Sequence, residues 1–261
     1  MQSPSETTYN TGVGKPAEPL SINNQPATII AHASAIVAAR ICENAEISPV
    51  TLFNLDVNAI ARGEVWRLVT PLVSTVPWER PWNTMVTLSE LFPFGARLQD
   101  ERFRGSAADY TWFLLTTGLV QVGVAATLMP RGRTLVQMGC PDRISCLVEA
   151  PVAGIVHLWS QTTTDEHVTL GTIFTVPARY LTPVVVAVRV FLMHNSAHTL
   201  ILGAMAAHAF HELSNDARTE TWLRAPAWLR RVLGEDADQG DRGGGGGLWR
   251  AWGTGQRSGG R

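Results

Sequence analysis

The sequence predicts an all-α, multi-pass membrane protein with a bundle of six transmembrane helices. Six apolar stretches lie between two polar ends of the 261-residue chain. One of them, from Thr111 to Met129, contains no charged residue. The stretches also lack the regularly spaced polar face that a helix on the surface of a soluble protein needs. The mean hydropathy of the chain is only +0.05, because the polar ends offset the apolar middle.

The six stretches differ in length and in the polar residues that interrupt them. A helix needs about 20 apolar residues to cross about 30 Å of hydrocarbon. Several stretches are shorter than that or carry charge, so a soluble helical bundle is the alternative fold. In chain order the stretches run from Pro26 to Ile41, Trp82 to Leu98, Thr111 to Met129, Ile144 to Ser160, Val168 to Met193 and Ala197 to Leu213.

The segment between the first two stretches, from Ile47 to Pro81, is too long for a simple connection. It mixes apolar side chains with Arg62, Glu64 and Arg67. This mixture predicts a segment that lies in the membrane interface, with Trp66 at the level of the lipid headgroups and Arg67 extending its charge towards water. A packed loop of a soluble protein is the alternative.

The two ends of the chain form a tail on either side of the helical region. Residues 1–25 are polar and contain no apolar core of a signal peptide, so we expect the first apolar stretch to direct the chain to a membrane. Residues 26–214 are the predicted membrane domain, and residues 215–261 are a predicted cytosolic tail. Basic residues after the last stretch favour a cytosolic location for both termini.

The C-terminal tail has three parts of different composition. Asn215 to Leu233 predicts a short amphipathic helix, and Gly234 to Gly247 is acidic and rich in glycine, which is typical of a disordered linker. The last residues include Trp249 and Trp252. Large aromatic residues beyond such a linker have no core to join, so they predict a docking peptide.

Four charged residues lie away from the ends of the predicted apolar stretches. Charges inside a bilayer are costly, so these side chains should face the bundle interior or water. They could line a hydrophilic passage for polypeptide, or they could neutralise one another in pairs such as Glu149 with Arg179. Both interpretations stay open at this point. The four residues are Glu90, Glu149, Arg179 and Arg189.

Global charge and cysteine content indicate no nucleic-acid partner, disulfide framework or cofactor. The net charge is −1, which does not attract a polyanion. The cysteines are few and their spacing matches no metal site, so we interpret them as small apolar residues. They are Cys42, Cys140 and Cys146.

A histidine-rich metalloenzyme of the membrane is an alternative function. His194 and His198 are four residues apart and would share a helix face, and His208, His211 and Glu212 follow. Imidazoles at such spacing can bind zinc or iron. However, the two groups would lie near opposite ends of one helix, about 20 Å apart. A single metal site is therefore not expected.

Several short strings, in this order along the chain, resemble strings of the Derlin family. They cover about 210 residues, from the loop after the first apolar stretch to the C-terminal tail. Three departures are Gln161 where the family has arginine, Ala207 where it has glycine, and Ser258 where it has leucine. The strings are Ile47-Ser48-Pro49, Gly63 to Pro71 with its Trp66-Arg67 pair, Phe103 to Tyr110, Leu158 to Gln161, Tyr180 to Pro183, Gly203 to His208 and Trp252 to Gly259.

The resemblance implies a rhomboid-like, six-helix fold in the endoplasmic reticulum membrane. It implies a role in moving misfolded proteins back across that membrane for ubiquitin-dependent degradation, with an E3 ubiquitin ligase complex as a partner. Trp66 and Arg67 would belong to a lumenal-loop motif, and Gly203 and Ala207 to a close helix contact between the fifth and sixth helices. The tail motif would recruit the AAA unfoldase, valosin-containing protein. Its residues are Trp252, Gly253, Gly255 and Arg257.

The chain lacks the residues with which a rhomboid protease cleaves a peptide bond. Such a protease needs a serine in a Gly-x-Ser-Gly string on the fourth helix and a histidine on the sixth. The fourth stretch contains no such string, and Ser145 and Ser160 lie at its ends. We therefore expect His208 to make a structural hydrogen bond and the protein to be non-catalytic. A structural or lipid-handling membrane protein is the alternative function, and self-association is left open.

Overall fold

The computed structural model describes the helical region and the segment that follows it. The described residues are 25–44, 55, 57–73, 81–128, 147–164, 166–170, 174–193, 197–216 and 218–235. Several residues singled out in the sequence lie outside these ranges, and so does the predicted tail linker apart from its first two residues, Gly234 and Glu235. They are Ile47, Ser48, Pro49, Cys140, Cys146, His194, Trp252, Gly253, Gly255, Arg257 and Ser258.

Helices of very different length make up most of the described chain. None of the helices in the described ranges is both long enough and apolar enough for a membrane crossing. Two 3₁₀ turns occur at Val65–Leu68 and Ala178–Tyr180. The helices are α1 (Ala27–Asn44), α2 (Val57–Ala61), α3 (Thr70–Val73), α4 (Pro81–Glu101), α5 (Ala107–Leu128), α6 (Glu149–Thr162), α7 (Leu181–Met193), α8 (Ala197–Asn215), α9 (Glu220–Leu223) and α10 (Ala227–Val232).

Each of the six apolar stretches overlaps one of the longer helices, and the fifth stretch also overlaps a β-hairpin. Strands β1 (His167–Leu170) and β2 (Phe174–Pro177) pair antiparallel, with Val168 opposite Val176 and Thr169 opposite Thr175. These β-branched residues favour strands over helices. The all-α prediction is therefore wrong for this hairpin, and α7 is only 13 residues long.

Helix α6 lies at the centre of the protein. Its residues from Glu149 to Val156 and from Leu158 to Ser160 are buried. It packs against α4, α5, α7 and α8, so no face of its middle part meets solvent. A helix that is covered on all sides must be apolar or small all round, and α6 satisfies this with alanine, glycine and valine.

The closest contact of α6 is with α8, at Gly203. A Cβ atom on Gly203 would lie 2.7 Å from the carbonyl carbon of Ala150, so only glycine fits. A Cβ atom on Gly154 would lie 3.5 Å from the Cβ atom of Ala207. The sequence placed this contact between the fifth and sixth helices, and that is wrong: Gly203 meets α6, the helix of the fourth stretch.

Trp159 joins α6 to the C-terminal half of α4. Its indole N–H donates a hydrogen bond to Glu101 at 2.9 Å. Its ring centroid is 5.2 Å from that of Phe94, and the guanidinium carbon of Arg97 lies 5.6 Å from the ring centroid. The tryptophan of the Leu158 to Gln161 string is thus a buried anchor between two helices.

Residues 218–235 form a C-terminal clamp on the start of α5. The Arg230 guanidinium donates to both carboxylate oxygens of Asp109, at 2.7 and 2.9 Å. Glu235 accepts hydrogen bonds from the backbone N–H groups of Ala107 and Ala108, which have no partner within their own helix. A carboxylate at a helix N-terminus is also favoured by the helix dipole.

The clamp contains two short helices where the sequence predicted one amphipathic helix. The chain is extended at Arg224 and Pro226, between α9 and α10. Proline disfavours a helical conformation in the residue before it and cannot donate the hydrogen bond that a continuous helix requires. Pro226 is instead well suited to precede the first turn of α10.

The Gly203 contact predicts that even one added methyl group destabilises the protein. Gly203→Ala should lower the thermal unfolding midpoint, because overpacking of this kind costs about 1–3 kcal/mol or more. Gly123→Ala is the matched control, since nothing lies within 4 Å of a Cβ atom at Gly123. Tryptophan fluorescence on heating measures both variants. Equal midpoints for Gly203→Ala and the wild type would contradict the close contact.

Candidate functional site: a buried ionic network and a histidine pair

A buried arginine binds two carboxylates in the interior of the helical bundle. The Arg189 guanidinium donates to Glu90 at 2.7 and 3.3 Å and to the hydroxyl of Thr87 at 3.3 Å. A second guanidinium nitrogen lies 3.7 Å from a carboxylate oxygen of Glu149. The side chains of Arg189 and Glu149 are only 1 % and 5 % exposed. Charges at this depth persist only when they are paired.

The network connects three helices through one side chain. Arg189 lies on α7, Glu90 and Thr87 on α4, and Glu149 in the first turn of α6. Helices α4 and α7 both pack on α6, so the guanidinium bridges two helices that share a neighbour. The position of Glu149 at the N-terminus of α6 also favours its negative charge.

Arg179 does not belong to this network, and the predicted pairing of Glu149 with Arg179 is wrong. Arg179 is exposed, and its guanidinium carbon lies 4.9 Å from the ring centroid of Tyr180. It lies in the 3₁₀ turn that precedes α7, ten residues before Arg189. That separation corresponds to about 15 Å along a helix. The hairpin at the start of the fifth stretch is the reason that Arg179 stays outside.

Two histidines from different helices meet near the C-terminal half of α6. The ring centroids of His157 on α6 and His208 on α8 are 5.5 Å apart in an edge-to-face arrangement. The Nδ1 atom of His157 lies 3.2 Å from the hydroxyl of Thr182, which in turn lies 3.1 Å from the hydroxyl of Ser160. His208 thus contacts another imidazole, where the sequence suggested a structural hydrogen bond.

His157 could not be identified from the sequence as the neighbour of His208. A single histidine on an apolar helix is usually a packed side chain, and 51 residues separate the two histidines along the chain. The close contact between α6 and α8 explains why the two histidines meet. Gly154 and Ala207 face one another on α6 and α8, and the two histidines follow within one turn.

The hydroxyl–imidazole group resembles only part of a catalytic triad. Thr182 and His157 are within the reach of a nucleophile and a base. The base of a triad is oriented by a third group on its other nitrogen. The Nε2 atom of His157 is buried and has no hydrogen-bond partner among the described residues.

The described residues hold no group of three histidine, cysteine, aspartate or glutamate side chains arranged to bind a metal ion. His198 lies in the first turn of α8, whereas His208 lies ten residues later. The rise of a helix separates them by about 15 Å. The two histidine groups predicted from the sequence therefore do not converge.

The Trp66-Arg67 pair lies in the 3₁₀ turn between α2 and α3. Trp66 is 49 % exposed, whereas Arg67 is buried and its Nε atom donates to Glu64 at 2.7 Å. Trp66 is thus available at the surface as expected. Arg67 does not extend into solvent, and that part of the prediction is wrong, because Glu64 neutralises its charge locally.

Polar and charged side chains lie among the apolar residues of the interior, and large apolar side chains are exposed on the outside. The interior contains Arg189, Glu149 and several uncharged polar residues, and both amide atoms of Gln121 are buried without a partner among the described residues. Large apolar side chains are exposed on the outside of the same helices. They include Ile41, Trp82, Met85, Leu119, Val120, Phe191, Leu192, Ile201 and Met205.

The network predicts that loss of the buried arginine is costly. Arg189→Leu should lower the free energy of unfolding by about 3–5 kcal/mol, because it leaves buried carboxylates without their counter-charge. Arg179→Gln is the control, since Arg179 is an exposed arginine beside the same helix. Thermal or denaturant unfolding compares them. A midpoint for Arg189→Leu equal to that of Arg179→Gln would exclude a stabilising role of the network.

Comparison with known proteins agrees with the strings in the sequence. Derlin-2.2 of Arabidopsis thaliana is 24% identical over 206 residues, which cover 78% of this chain and 82% of that protein. The probable derlin-2 homolog of Dictyostelium discoideum is 22% identical over 190 residues, or 72% of this chain and 71% of that protein. Derlin-2 of Oryza sativa subsp. japonica is 26% identical over 212 residues, or 78% and 80%. The model of the Der1-like family matches residues 26–226, and the chain therefore belongs to this family.

Proposed function

We propose that this protein is a non-catalytic component of endoplasmic-reticulum-associated degradation. In this role it helps misfolded proteins to leave the endoplasmic reticulum through its membrane, so that they are ubiquitinated and degraded in the cytosol. Membership of the Der1-like family supports the pathway. The observation that carries the proposal is the buried Arg189 network inside a bundle whose outer surface is apolar.

The exposed apolar side chains and the buried charges together support insertion into a bilayer. Phe191 and Leu192 are 77 % and 74 % exposed at the end of α7, although the same helix buries Arg189. In water this arrangement leaves apolar surface uncovered and removes charge from solvent, and both cost free energy. In lipid the same arrangement is favourable. In this proposal the six longer helices cross the membrane and both termini lie in the cytosol.

The polar interior is suited to a partly hydrated passage. Gln121, Arg189 and His157 each have a buried polar atom without a hydrogen-bond partner among the described residues. Such atoms gain from contact with water or with a passing peptide backbone. A chain that crosses beside them meets hydrogen-bonding groups in place of hydrocarbon. This polar environment replaces any need for a chemical step.

Short central helices add a second contribution. Helix α6 has 14 residues and α7 has 13, which correspond to about 21 Å and about 20 Å. The hydrocarbon layer is about 30 Å thick, so a bilayer next to such helices becomes thinner. A thinner bilayer lowers the cost of moving polar chain across it. We propose that thinning and the polar interior act together.

The proposed partners on the cytosolic side are an E3 ubiquitin ligase complex and the AAA unfoldase. In the tail, Trp252, Gly253, Gly255 and Arg257 would bind the unfoldase, which supplies the energy for extraction. Tryptophan is a typical anchor of interfaces, and glycine permits close backbone approach. Ser258 in place of leucine removes one apolar contact, so we expect weak binding.

The tail assignment predicts a specific loss of the unfoldase. After crosslinking in the membrane and affinity purification, Trp252→Ala should recover several-fold less unfoldase than the wild type. Trp249→Ala is the matched control, because it removes a tryptophan of the same tail outside the motif. Ser258→Leu should increase recovery. Equal recovery by the wild type and Trp252→Ala would refute the assignment.

A variant that keeps the fold but removes the polar network tests the proposed function itself. Glu90→Met/Glu149→Met/Arg189→Met replaces all three ionic groups with apolar chains of similar size. Such replacements are often neutral or stabilising, so this variant should unfold at or above the midpoint of Arg189→Leu. In cells that lack the wild-type protein, it should nevertheless fail to restore degradation of a misfolded membrane reporter.

The chase half-life of the reporter is the measurement, with the wild type and Arg179→Gln as controls that should restore degradation. A stable triple variant that clears the reporter at the normal rate would exclude the polar network from the mechanism. An unchanged reporter half-life in cells without the protein would exclude the degradation role and leave a structural or lipid-handling function.

A further inference from the structure

The C-terminal clamp of residues 218–235 has apolar side chains on two opposite sides. On its inner side, Ala225 and Leu229 are buried against Ala108 at the start of α5. On its outer side, Trp222 and Trp228 are 81 % and 57 % exposed. The inner side explains why the clamp is attached. The two exposed indoles on the outer side contribute little to the packing of the described chain.

Helix α10 makes this contrast clear. Trp228 and Val232 are four residues apart, so they lie on the same face, and both are exposed. Leu229 lies on a neighbouring face, about 100° from Trp228 around the helix, and is buried. A short surface helix in water has a polar outer face. The outer face of α10 instead presents an indole and a branched alkyl group.

The exposed surface of α8 leads directly to the clamp. Ile201, Met205, Ala209 and Leu213 follow one another at intervals of four residues, and all four are exposed. They form one apolar ridge along α8. The ridge ends at Leu213, five residues before the clamp begins. The apolar ridge of α8 therefore precedes the clamp along the chain by only a few residues.

Basic residues accompany the indoles on the outer side of the clamp. Arg218 and Arg231 are exposed, and Arg104 is exposed in the neighbouring loop. Two carboxylates nearest to them are occupied, since Asp109 binds Arg230 and Glu235 binds the start of α5. Exposed carboxylates on other elements of the described chain are Asp100 and Glu101 on α4 and Glu212 and Asp216 at the end of α8.

We propose that the outer side of the clamp binds the headgroup region of an anionic lipid leaflet. Trp222, Trp228 and Val232 enter the interface, where indoles are most stable, and Arg218 and Arg231 pair with lipid phosphates. Charge complementarity between the exposed arginines and lipid phosphates, together with the exposed indoles beside them, selects lipid as the occupant. The inference rests on the proposed membrane embedding, and it adds a lipid-binding surface to it.

Fluorescence quenching tests this contact in the full-length protein. The protein is reconstituted in nanodiscs whose lipids carry bromine close to the headgroup, with phosphatidylcholine alone or with added phosphatidylserine. The double variant Trp222→Phe/Trp228→Phe keeps two aromatic rings at exposed positions, so it should fold. The fluorescence of the wild type minus that of this variant gives the emission of the two indoles. That emission should be strongly quenched, and more so when phosphatidylserine is present.

A charge variant separates the basic residues from the indoles. Arg218→Gln/Arg231→Gln should abolish the extra quenching that phosphatidylserine causes. Arg62→Gln is the matched control, because it removes an exposed arginine from another part of the chain, and it should leave the extra quenching intact. Equal quenching by both lipid compositions in the wild type would overturn the anionic preference.

The outcomes distinguish this inference from the proposed function. A protein that enters the nanodiscs but shows no quenching of the two indoles would overturn lipid binding by the clamp and leave membrane embedding intact. Indoles that become quenched only after a protein partner is removed would assign the surface to that partner and overturn the inference. A protein that does not enter the nanodiscs would overturn both.

Discussion

The contact between α6 and α8 at Gly203 is the constraint on which the remaining structure depends. With no side chain at Gly203, the backbone of α8 lies directly against Ala150 in the first turn of α6. The same contact fixes the neighbouring Glu149 where Arg189 can reach it. Two turns further along, it brings His157 next to His208. The absence of a side chain at Gly203 thus determines the positions of both the Arg189 network and the histidine pair.

The cost of the ionic network and the cost of the apolar exterior both depend on the medium that surrounds the bundle. In water, burying Arg189 with Glu90 and Glu149 costs most of what their attraction returns. In the proposed membrane setting, with lipid outside the bundle, the three charged groups are more stable when paired with one another, and the exposed Phe191 and Leu192 face an apolar medium. The buried ion pairs of Arg189 therefore hold α4, α6 and α7 together in the interior of the bundle.

Much of the helical layout could be predicted from the sequence, because long apolar runs fix where helices form. The pairing of the buried charges could not be predicted from the sequence. Glu149 and Arg179 are plausible partners on paper, but the β-hairpin from His167 to Pro177 takes Arg179 out of the bundle and leaves the role to Arg189. Alternating β-branched residues in an apolar run fit a helix or a strand, and only the tertiary fold decides between them.

The histidine pair illustrates a second limit. Residues from helices far apart in the chain become neighbours only when the crossing of those helices is known, and that crossing depends on Gly203. The family strings were more informative, since they pointed to Trp159 before its role was evident. Its hydrogen bond to Glu101 and its packing on Phe94 explain why a tryptophan occupies that position.

The C-terminal clamp has a mechanical consequence. The chain leaves α8 and crosses to α5 before it continues beyond Glu235, so tension on the tail is not transmitted first to the end of α8. It is resisted first by the hydrogen bonds of Glu235 to the start of α5 and then by the Arg230–Asp109 pair. A pull on the chain beyond Glu235 is therefore borne by the start of α5 before it reaches the end of α8.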